Sequence, residues 1–249
     1  SDTPGSIAAA RKIHAQAARP NIFVKIPGTP AGLPAIEESI FAGIPVNVTL
    51  LFSRDQYVAA ANAYRRGIER RVEARLDPRV GSVASLFVSR WDRSVATQVP
   101  AALANRLGIA VAGVTYRAYR ESLATPAWLA LAAKGAMPQR LLWASTGTKD
   151  PNAPDTLYVE ALAAPDTINT MPEKTLTAFA DHGSVRGTLR DDGGDASATL
   201  ARFAAAGVDI DALASRLQRE GAESFTKSWT ELLRRIADKR RALHAESAR

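Results

Sequence analysis

The stretch NIFVKIPGTPAGLPAIEESIFAGIPVNVTLLFS, residues 21–53, holds two short apolar runs separated by a helical segment. The runs at 21–26 and 46–52 predict two strands, because each is short, apolar and bounded by proline or glycine. The intervening residues 33–42 predict a helix, and Gly43 suits its carboxy-terminal cap. A strand, a helix and a second strand in this order are typical of a parallel βαβ unit.

The rest of the chain repeats this alternation. Further strands are predicted at 81–89, 140–145 and 167–171. Helices are predicted at 7–18, at 54–69 with Ser53 as amino-terminal cap, at 173–180 after Pro172, and from 196 to near the end with breaks at Gly207 and Gly221. The alanine-rich stretches 101–107 and 109–123 fit two helices or a helix and a strand, and we favour two helices. Residues 190–195 read as a surface loop. Five strands are too few to close a barrel of about eight, so the residues alone leave two alternatives, an open doubly wound sheet and part of a (β/α)8 barrel.

Composition excludes several classes of protein. The 249 residues, 46% of them hydrophobic, can bury the core of one large α/β domain or of two small ones. The chain has no cysteine and three widely separated histidines, so disulfides and thiolate chemistry are excluded and no metal site is expected. No apolar run approaches the ~20 residues of a membrane span, and the start lacks the features of a signal peptide, so we expect a cytoplasmic protein.

The net charge of +7 invites a nucleic-acid interpretation, because basic clusters bind the phosphate backbone. The basic residues, however, gather mainly at 65–75 and 234–241, within helical sequence that also carries acidic and apolar positions. Solvated helix faces therefore explain them better than a nucleic-acid surface does. The same positive field would favour encounter with a small phosphorylated substrate, so charge alone does not discriminate.

Polar residues recur where the predicted strands end, which is where barrels and open α/β sheets both place their sites. They are Lys25, Asn47, Thr49, Ser85, Arg90, Ser145, Lys149 and Asn169. A lysine that ends an apolar strand can present the free amine that attack on a ketone requires, although it can also snorkel to solvent. The STGTK turn at 145–149 offers hydroxyls and one cation for a phosphate, and an exposed loop is the alternative.

Taken in order, five motifs resemble the transaldolase family, most closely its branch fused to a phosphoglucose isomerase. They are VKIPGTPAGLPAIEE, GIPVNVTLLFS, SVASLFVSRWD, RLLWASTGTKD and DTINTMPEKTL, and the resemblance runs from about residue 2 to residue 239. It implies a (β/α)8 TIM barrel of the class I aldolase type, without cofactor or metal, with only about five of the eight strands in this chain.

The implied activity is the transfer of a dihydroxyacetone unit, within the pentose phosphate pathway. The unit passes from sedoheptulose 7-phosphate or fructose 6-phosphate to an aldose phosphate through a lysine Schiff base. The alternatives are a fructose 6-phosphate aldolase-like enzyme, which releases dihydroxyacetone without an acceptor, and a noncatalytic basic binding protein. The implied partners are sugar phosphates and a fused or associated phosphoglucose isomerase, with no nucleic acid and no membrane.

The resemblance also implies a role for each site residue. Lys25 matches the Schiff-base lysine, Asn47 a substrate-binding asparagine and Thr49 a threonine that orients the catalytic water. Ser85 matches a residue that binds substrate hydroxyls.

For the phosphate, the resemblance implies Arg90 and Ser145. Many transaldolases carry an arginine two residues after that serine, but this chain has Gly147 there, and Lys149 is the nearest cation.

One departure concerns the start of the chain. The resemblance assigns Lys25 to the fourth barrel strand, so the family's first three strands have no counterpart here, nor do the catalytic aspartate, asparagine and glutamate that they carry. We therefore expect residues 1–249 to form a single, amino-terminally incomplete barrel domain. Residues 222–243, with Phe225 and Trp229, are expected to form a carboxy-terminal helix near the barrel mouth.

Overall fold

The sheet of the protein contains five parallel strands in the order β1-β2-β3-β4-β5. The structure, a computed structural model, describes residues 2–247 and most of their side chains. The strands are β1 (Val24–Pro27), β2 (Val46–Leu51), β3 (Ser82–Phe87), β4 (Arg140–Ala144) and β5 (Thr167–Asn169). Since a doubly wound sheet reverses its strand order at a switch point and a barrel does not, this order confirms the barrel alternative. Within residues 2–247 the sheet is open, and β1 and β5 are its edges.

α-Helices precede, connect and follow the strands. They are α1 (Thr3–Ala17), α2 (Leu33–Phe41), α3 (Arg54–Glu73), α4 (Ser89–Val95), α5 (Leu107–Leu123), α6 (Pro126–Ala132), α7 (Leu157–Ala161), α8 (Glu173–His182), α9 (Ala196–Ala205) and α10 (Ile210–Ser247). The predicted caps are confirmed for two of them. Ser53 Oγ accepts from Gln56 N at 3.1 Å, and Gly43 follows α2 with a φ of 80°. None of the described helices is long and apolar enough to cross a membrane.

The two faces of the sheet pack against different partners. Side chains that alternate along the strands, such as Val24, Val46 and Trp143, join the helices α2, α3 and α5 in one buried cluster. The opposite face, called the inner face below, carries Val83 and Leu142, which belong to a second cluster with parts of α9 and α10. Helices that cover one face of a sequentially ordered parallel sheet are the arrangement of a barrel wall.

The predicted break at Gly221 is wrong, because α10 is continuous from Ile210 to Ser247. A Cβ at Gly221 would lie 2.8 Å from Leu50 Cδ2 and 3.5 Å from Arg90 Nη1. The glycine therefore permits a close approach of the helix to the strand ends. Gly207, whose φ is 85°, follows the end of α9 as predicted.

The prediction of a helix at 101–107 is also wrong. The segment forms only a three-residue 3-10 turn, Ala101–Leu103, and Asn105 has a φ of 59° that ends any helix there. The carboxylate of Asp92 then accepts hydrogen bonds from the backbone amides of Leu107 and Gly108, at 2.8 and 3.1 Å, and so defines the start of α5. Ser89, predicted to end a strand, instead begins α4.

Candidate active site

Strands β1 and β2 carry Lys25 and the polar residues next to it in the sheet. Their register pairs Lys25 with Asn47 and Pro27 with Thr49. Because Val24 and Ile26 are buried on the helical side, Lys25 projects from the inner face. Its side chain is exposed, since β1 is an edge strand and nothing among the described residues covers it. Within the described residues the Lys25 side chain thus reaches solvent, which is the alternative given for a lysine that ends an apolar strand.

A β-bulge shapes the end of β2. The pairing of β2 with β3 shifts between Val48 and Leu51, and Leu50 adopts a φ of 60°. Val48 and Leu51 belong to the helical cluster, whereas Leu50 and Phe52 belong to the inner one. The extra residue therefore changes which side chains face inward just beyond Thr49.

Asn47 and Ser85 form a hydrogen-bonded pair on the inner face. Ser85 Oγ donates to Asn47 Oδ1 at 2.7 Å. This bond leaves the amide nitrogen of Asn47 available to donate to a ligand hydroxyl. Thr49, which is 3% exposed, has a hydroxyl without a hydrogen-bond partner among the described residues. An unpartnered buried hydroxyl is costly unless water or a ligand satisfies it.

Arg90 provides a positive charge just after β3. It lies in the first turn of α4, partly buried, with its guanidinium 4.9 Å from the centre of the Phe87 ring. In the described part of the chain, no carboxylate lies within ion-pair distance of it. Burial and the neighbouring Arg93 lower the pKa of Arg90, and Glu220 opposes them, yet an arginine remains charged in proteins. A partly buried arginine without a carboxylate partner suits a phosphate.

Hydrogen bonds from the loop after β4 reach the start of α4 and the end of β5. Ser145 Oγ lies 3.0 Å from Ser89 Oγ, and Thr146 Oγ1 donates to Asn169 Oδ1 at 2.8 Å. Ser145 itself has a φ of 57°. Sequence reasoning missed Ser89, although its position beside Arg90 in the SLFVSR motif was a signal.

Lys149 follows β4 and therefore lies apart from Lys25 on β1. It is exposed and borders a cavity of about 380 Å³ together with Ser89, Arg93 and Asn105. Its amine also lies 3.7 Å from where a Cβ of Gly147 would be. The Lys149 ammonium therefore lies close to position 147, where the resemblance implies an arginine.

Asp92 is a second residue that sequence reasoning missed. Besides the two amides of α5, its carboxylate accepts from the hydroxyl of Tyr158 at 2.8 Å. Burial raises the pKa of Asp92, and these three hydrogen bonds oppose the shift. Asp92 thereby ties α4, which carries Ser89 and Arg90, to α5 and α7.

The polar residues thus fall into two groups at the carboxy-terminal ends of the strands. The lysine half comprises Lys25, Asn47, Thr49 and Ser85, and the anion half comprises Ser89, Arg90, Ser145 and Lys149. Phe225 and Trp229 on α10 are 43% and 61% exposed, so the packing of 222–243 near the mouth stays a prediction. No group of three or more metal-ligating side chains occurs within the residues that the structure describes.

A sequentially ordered parallel sheet with polar side chains at its carboxy-terminal edge defines the class of (β/α)-barrel proteins. A family model described as Transaldolase/Fructose-6-phosphate aldolase matches residues 1–236. The chain belongs to this family.

Curated relatives named Transaldolase are similar over most of the chain. The protein of Acidothermus cellulolyticus is 51% identical over 239 residues, which cover 93% of this chain and 64% of the relative. That of Frankia alni is 50% identical over 241 residues, covering 93% and 65%. That of Thiobacillus denitrificans is 47% identical over 243 residues, covering 94% and 68%. The chain therefore spans about two thirds of the length of these relatives.

Proposed function

We propose that the protein is a transaldolase, which moves a dihydroxyacetone unit from a ketose phosphate to an aldose phosphate through a Schiff base on Lys25. The observation that carries the proposal is the juxtaposition on the inner face. Lys25 is paired in register with Asn47, and Thr49 on the same strand has an unpartnered hydroxyl. The names of relatives about 50% identical support the same activity.

The proposed reaction begins at the Lys25 amine. It attacks the C2 carbonyl of the ketose, and loss of water gives an iminium ion. The bond between C3 and C4 then breaks, its electron pair moves into the iminium, and the C4 hydroxyl loses its proton as the aldose phosphate departs. The enamine on Lys25 attacks the aldehyde of a second aldose phosphate, and water releases the product and regenerates the amine.

The other residues of the lysine half would orient this chemistry. Asn47, whose Oδ1 is occupied by Ser85, donates its amide hydrogens to a substrate hydroxyl. The hydroxyl of Thr49 orients the water that leaves and returns. A base must still take the proton of the C4 hydroxyl, and none of the candidate residues in this chain is a carboxylate. The family resemblance assigns that role to an aspartate on a strand without a counterpart here.

The anion half would hold the phosphate. Arg90 pairs with it, Ser145 donates a hydroxyl, and Lys149 adds a second positive charge. Fixing the far end of the substrate orients its carbonyl against Lys25, which is a large part of what a binding site contributes to rate.

The domain organisation, the pathway, the compartment and the partner enzyme that the resemblance implies are part of the same proposal. Residues 1–249 belong to a single barrel domain, and residues 222–243 pack near its mouth. The activity serves the pentose phosphate pathway in the cytoplasm, with a phosphoglucose isomerase fused or associated.

A fructose 6-phosphate aldolase-like activity is the second candidate. The exposure of Lys25 favours it, because water that reaches the enamine or iminium would release free dihydroxyacetone. Product analysis with fructose 6-phosphate, with and without erythrose 4-phosphate as acceptor, separates the two. Release that does not need an acceptor identifies the aldolase.

Borohydride trapping tests the Schiff base. The protein is incubated with fructose 6-phosphate and reduced, and its peptides are mapped by mass spectrometry. An adduct of dihydroxyacetone size on Lys25 is expected. It should be absent from Lys25→Met and unchanged in Lys174→Met, whose exposed lysine lies outside the site. An adduct spread over surface lysines, or none in the folded protein, would contradict the proposal.

A further inference from the structure

Gln218 is a buried amide on the otherwise apolar side of α10. It is 9% exposed, and its Nε2 donates to two carbonyl oxygens, Gly28 O at 3.1 Å and Leu50 O at 3.0 Å. These carbonyls lie at the carboxy-terminal ends of β1 and β2. One side chain therefore joins α10 to the ends of both strands that form the lysine half.

The two carbonyls are close in sequence to the reacting groups. Gly28 is the third residue after Lys25, and its amide donates to Thr49 O at 2.8 Å. Leu50 directly follows Thr49 and holds the left-handed conformation of the bulge, which a leucine adopts only where its surroundings impose it. The bond from Gln218 to Leu50 O is one such constraint, and the side chain of Leu50 is fully buried.

The next turn of the same helix reinforces this contact. Gly221 lies so close to Leu50 and Arg90 that a Cβ there would be 2.8 Å from the leucine Cδ2 and 3.5 Å from the arginine Nη1. The stretch 218–221 therefore touches the ends of β1 and β2 and the first turn of α4. Elsewhere in the described residues, the sheet offers β1 only one neighbouring strand.

We infer that Gln218 is a positioning residue for the Schiff-base chemistry, an inference that rests on the proposed function. It acts through Gly28 and Leu50 and touches no substrate. By holding the end of β1 against the bulge of β2, it keeps the Lys25 amine and the Thr49 hydroxyl directed at one substrate. A merely structural glutamine would add stability without changing the reaction of the folded protein.

Gln218→Met tests the inference, since methionine has a similar length and donates no hydrogen bond. The matched control is Gln16→Met, at an exposed position on α1. Amide hydrogen exchange of Gly28 is expected to become about tenfold faster in Gln218→Met. The amide of Val88, which donates to Ala144 O between β3 and β4, serves as internal reference and should not change. Unchanged exchange at Gly28 would overturn the inference whether or not the protein is active.

Kinetics then separate positioning from stability. For folded Gln218→Met we expect kcat with fructose 6-phosphate to fall about 10- to 100-fold and KM to stay within about twofold, because the phosphate contacts are untouched. Borohydride trapping on Lys25 should slow in parallel. Faster Gly28 exchange with a normal kcat would reduce Gln218 to a structural role. An inactive wild-type chain would refute the proposed function, and the exchange comparison would still decide whether Gln218 holds the two strands.

Gln218→Glu keeps the test decisive if the methionine variant does not fold. Its carboxylate would face two carbonyl oxygens and repel them when ionised, whereas the protonated acid can donate one hydrogen bond. Trapping on Lys25 should therefore recover partly as the pH is lowered, relative to wild type over the same range. The same pH dependence in both proteins would overturn the inference.

Discussion

The two halves of the candidate site differ in how firmly neighbouring residues hold them in place. Arg90 and Ser145 in the anion half follow interior strands, and side-chain bonds from Ser89 and Asp92 fix the surrounding turns. Lys25 in the lysine half lies on an edge strand, exposed, and α10 reaches that strand's end through Gln218. The difference indicates that the turns around the proposed anion half are held by hydrogen bonds, whereas the geometry of Lys25 depends on a helix distant in sequence.

The largest effect is expected where the lysine half carries the chemistry itself. Lys25→Met should lower kcat by more than about 1000-fold, because it removes the amine that is proposed to form the covalent intermediate. Stability to urea should stay unchanged, since the side chain is exposed and has no ion pair among the described residues. Steady-state kinetics beside a urea titration check both points. Residual turnover near that of Lys174→Met would mean that another group is the nucleophile.

Removing the charge of the anion half should affect binding more than chemistry. Arg90→Met keeps an aliphatic stem over Phe87 and is expected to raise KM for fructose 6-phosphate by about 10- to 100-fold, with a smaller change in kcat.

The matched controls are Arg11→Met, at an exposed position on α1, and unphosphorylated fructose as substrate. Neither should reveal a defect of this size. An equal loss with fructose and with its phosphate would place Arg90 outside the phosphate site.

The third prediction tests whether the anion half is rigid because of Asp92. Asp92→Asn should lower the free energy of unfolding by about 1 to 3 kcal/mol, because the amide group cannot accept all three of the hydrogen bonds that the carboxylate accepts. A urea titration measures the loss, with Asp211→Asn, exposed on α10, as control. KM should rise while trapping on Lys25 continues at saturating substrate. A loss of trapping alone would mean that the two halves are not separable.

Gly221→Ala should destabilise the protein, although alanine usually stabilises a helix relative to glycine. In a helix interior, alanine is about 1 kcal/mol more favourable than glycine. Here the new methyl group would collide with Leu50, so a loss of about 1 to 3 kcal/mol in unfolding free energy is expected. Ser224→Ala, on an exposed part of the same helix, should be neutral or stabilising. A stabilised Gly221→Ala would show that α10 does not press on the bulge.

Much of this architecture could be predicted from local pattern. The five strands and the residues at their ends follow from short apolar runs, and the cap at Ser53 from its chemistry. The continuity of α10 through Gly221 could not be predicted, because the reason for the glycine lies 171 positions away, at Leu50.

The same limit applies to the residues that were missed. Asp92 bonds to Tyr158, and Gln218 bonds to Gly28, which is 190 positions away in the sequence. A polar residue among apolar helical positions is a hint, but only the folded chain identifies its partners. Whether Lys25 is buried or exposed was left open, since an apolar strand reads the same at an edge as in the interior of a sheet.

The smallest effect is expected at the other edge of the sheet, where α8 follows β5. His182 lies between Asp155 and Asp181, at 2.9 and 3.1 Å, and these carboxylates raise the pKa of the imidazole. Because the folded-state pKa is the higher one, the stabilisation is complete below the unfolded value of about 6.5 and is lost as the pH rises through the folded value. His182→Gln should remove a small decline in Tm between about pH 6 and 8, with His14→Gln as control. The decline should be largest at low salt, and kcat should not follow it, because these three residues lie outside both halves of the site. A parallel change in kcat would connect this edge to the anion half.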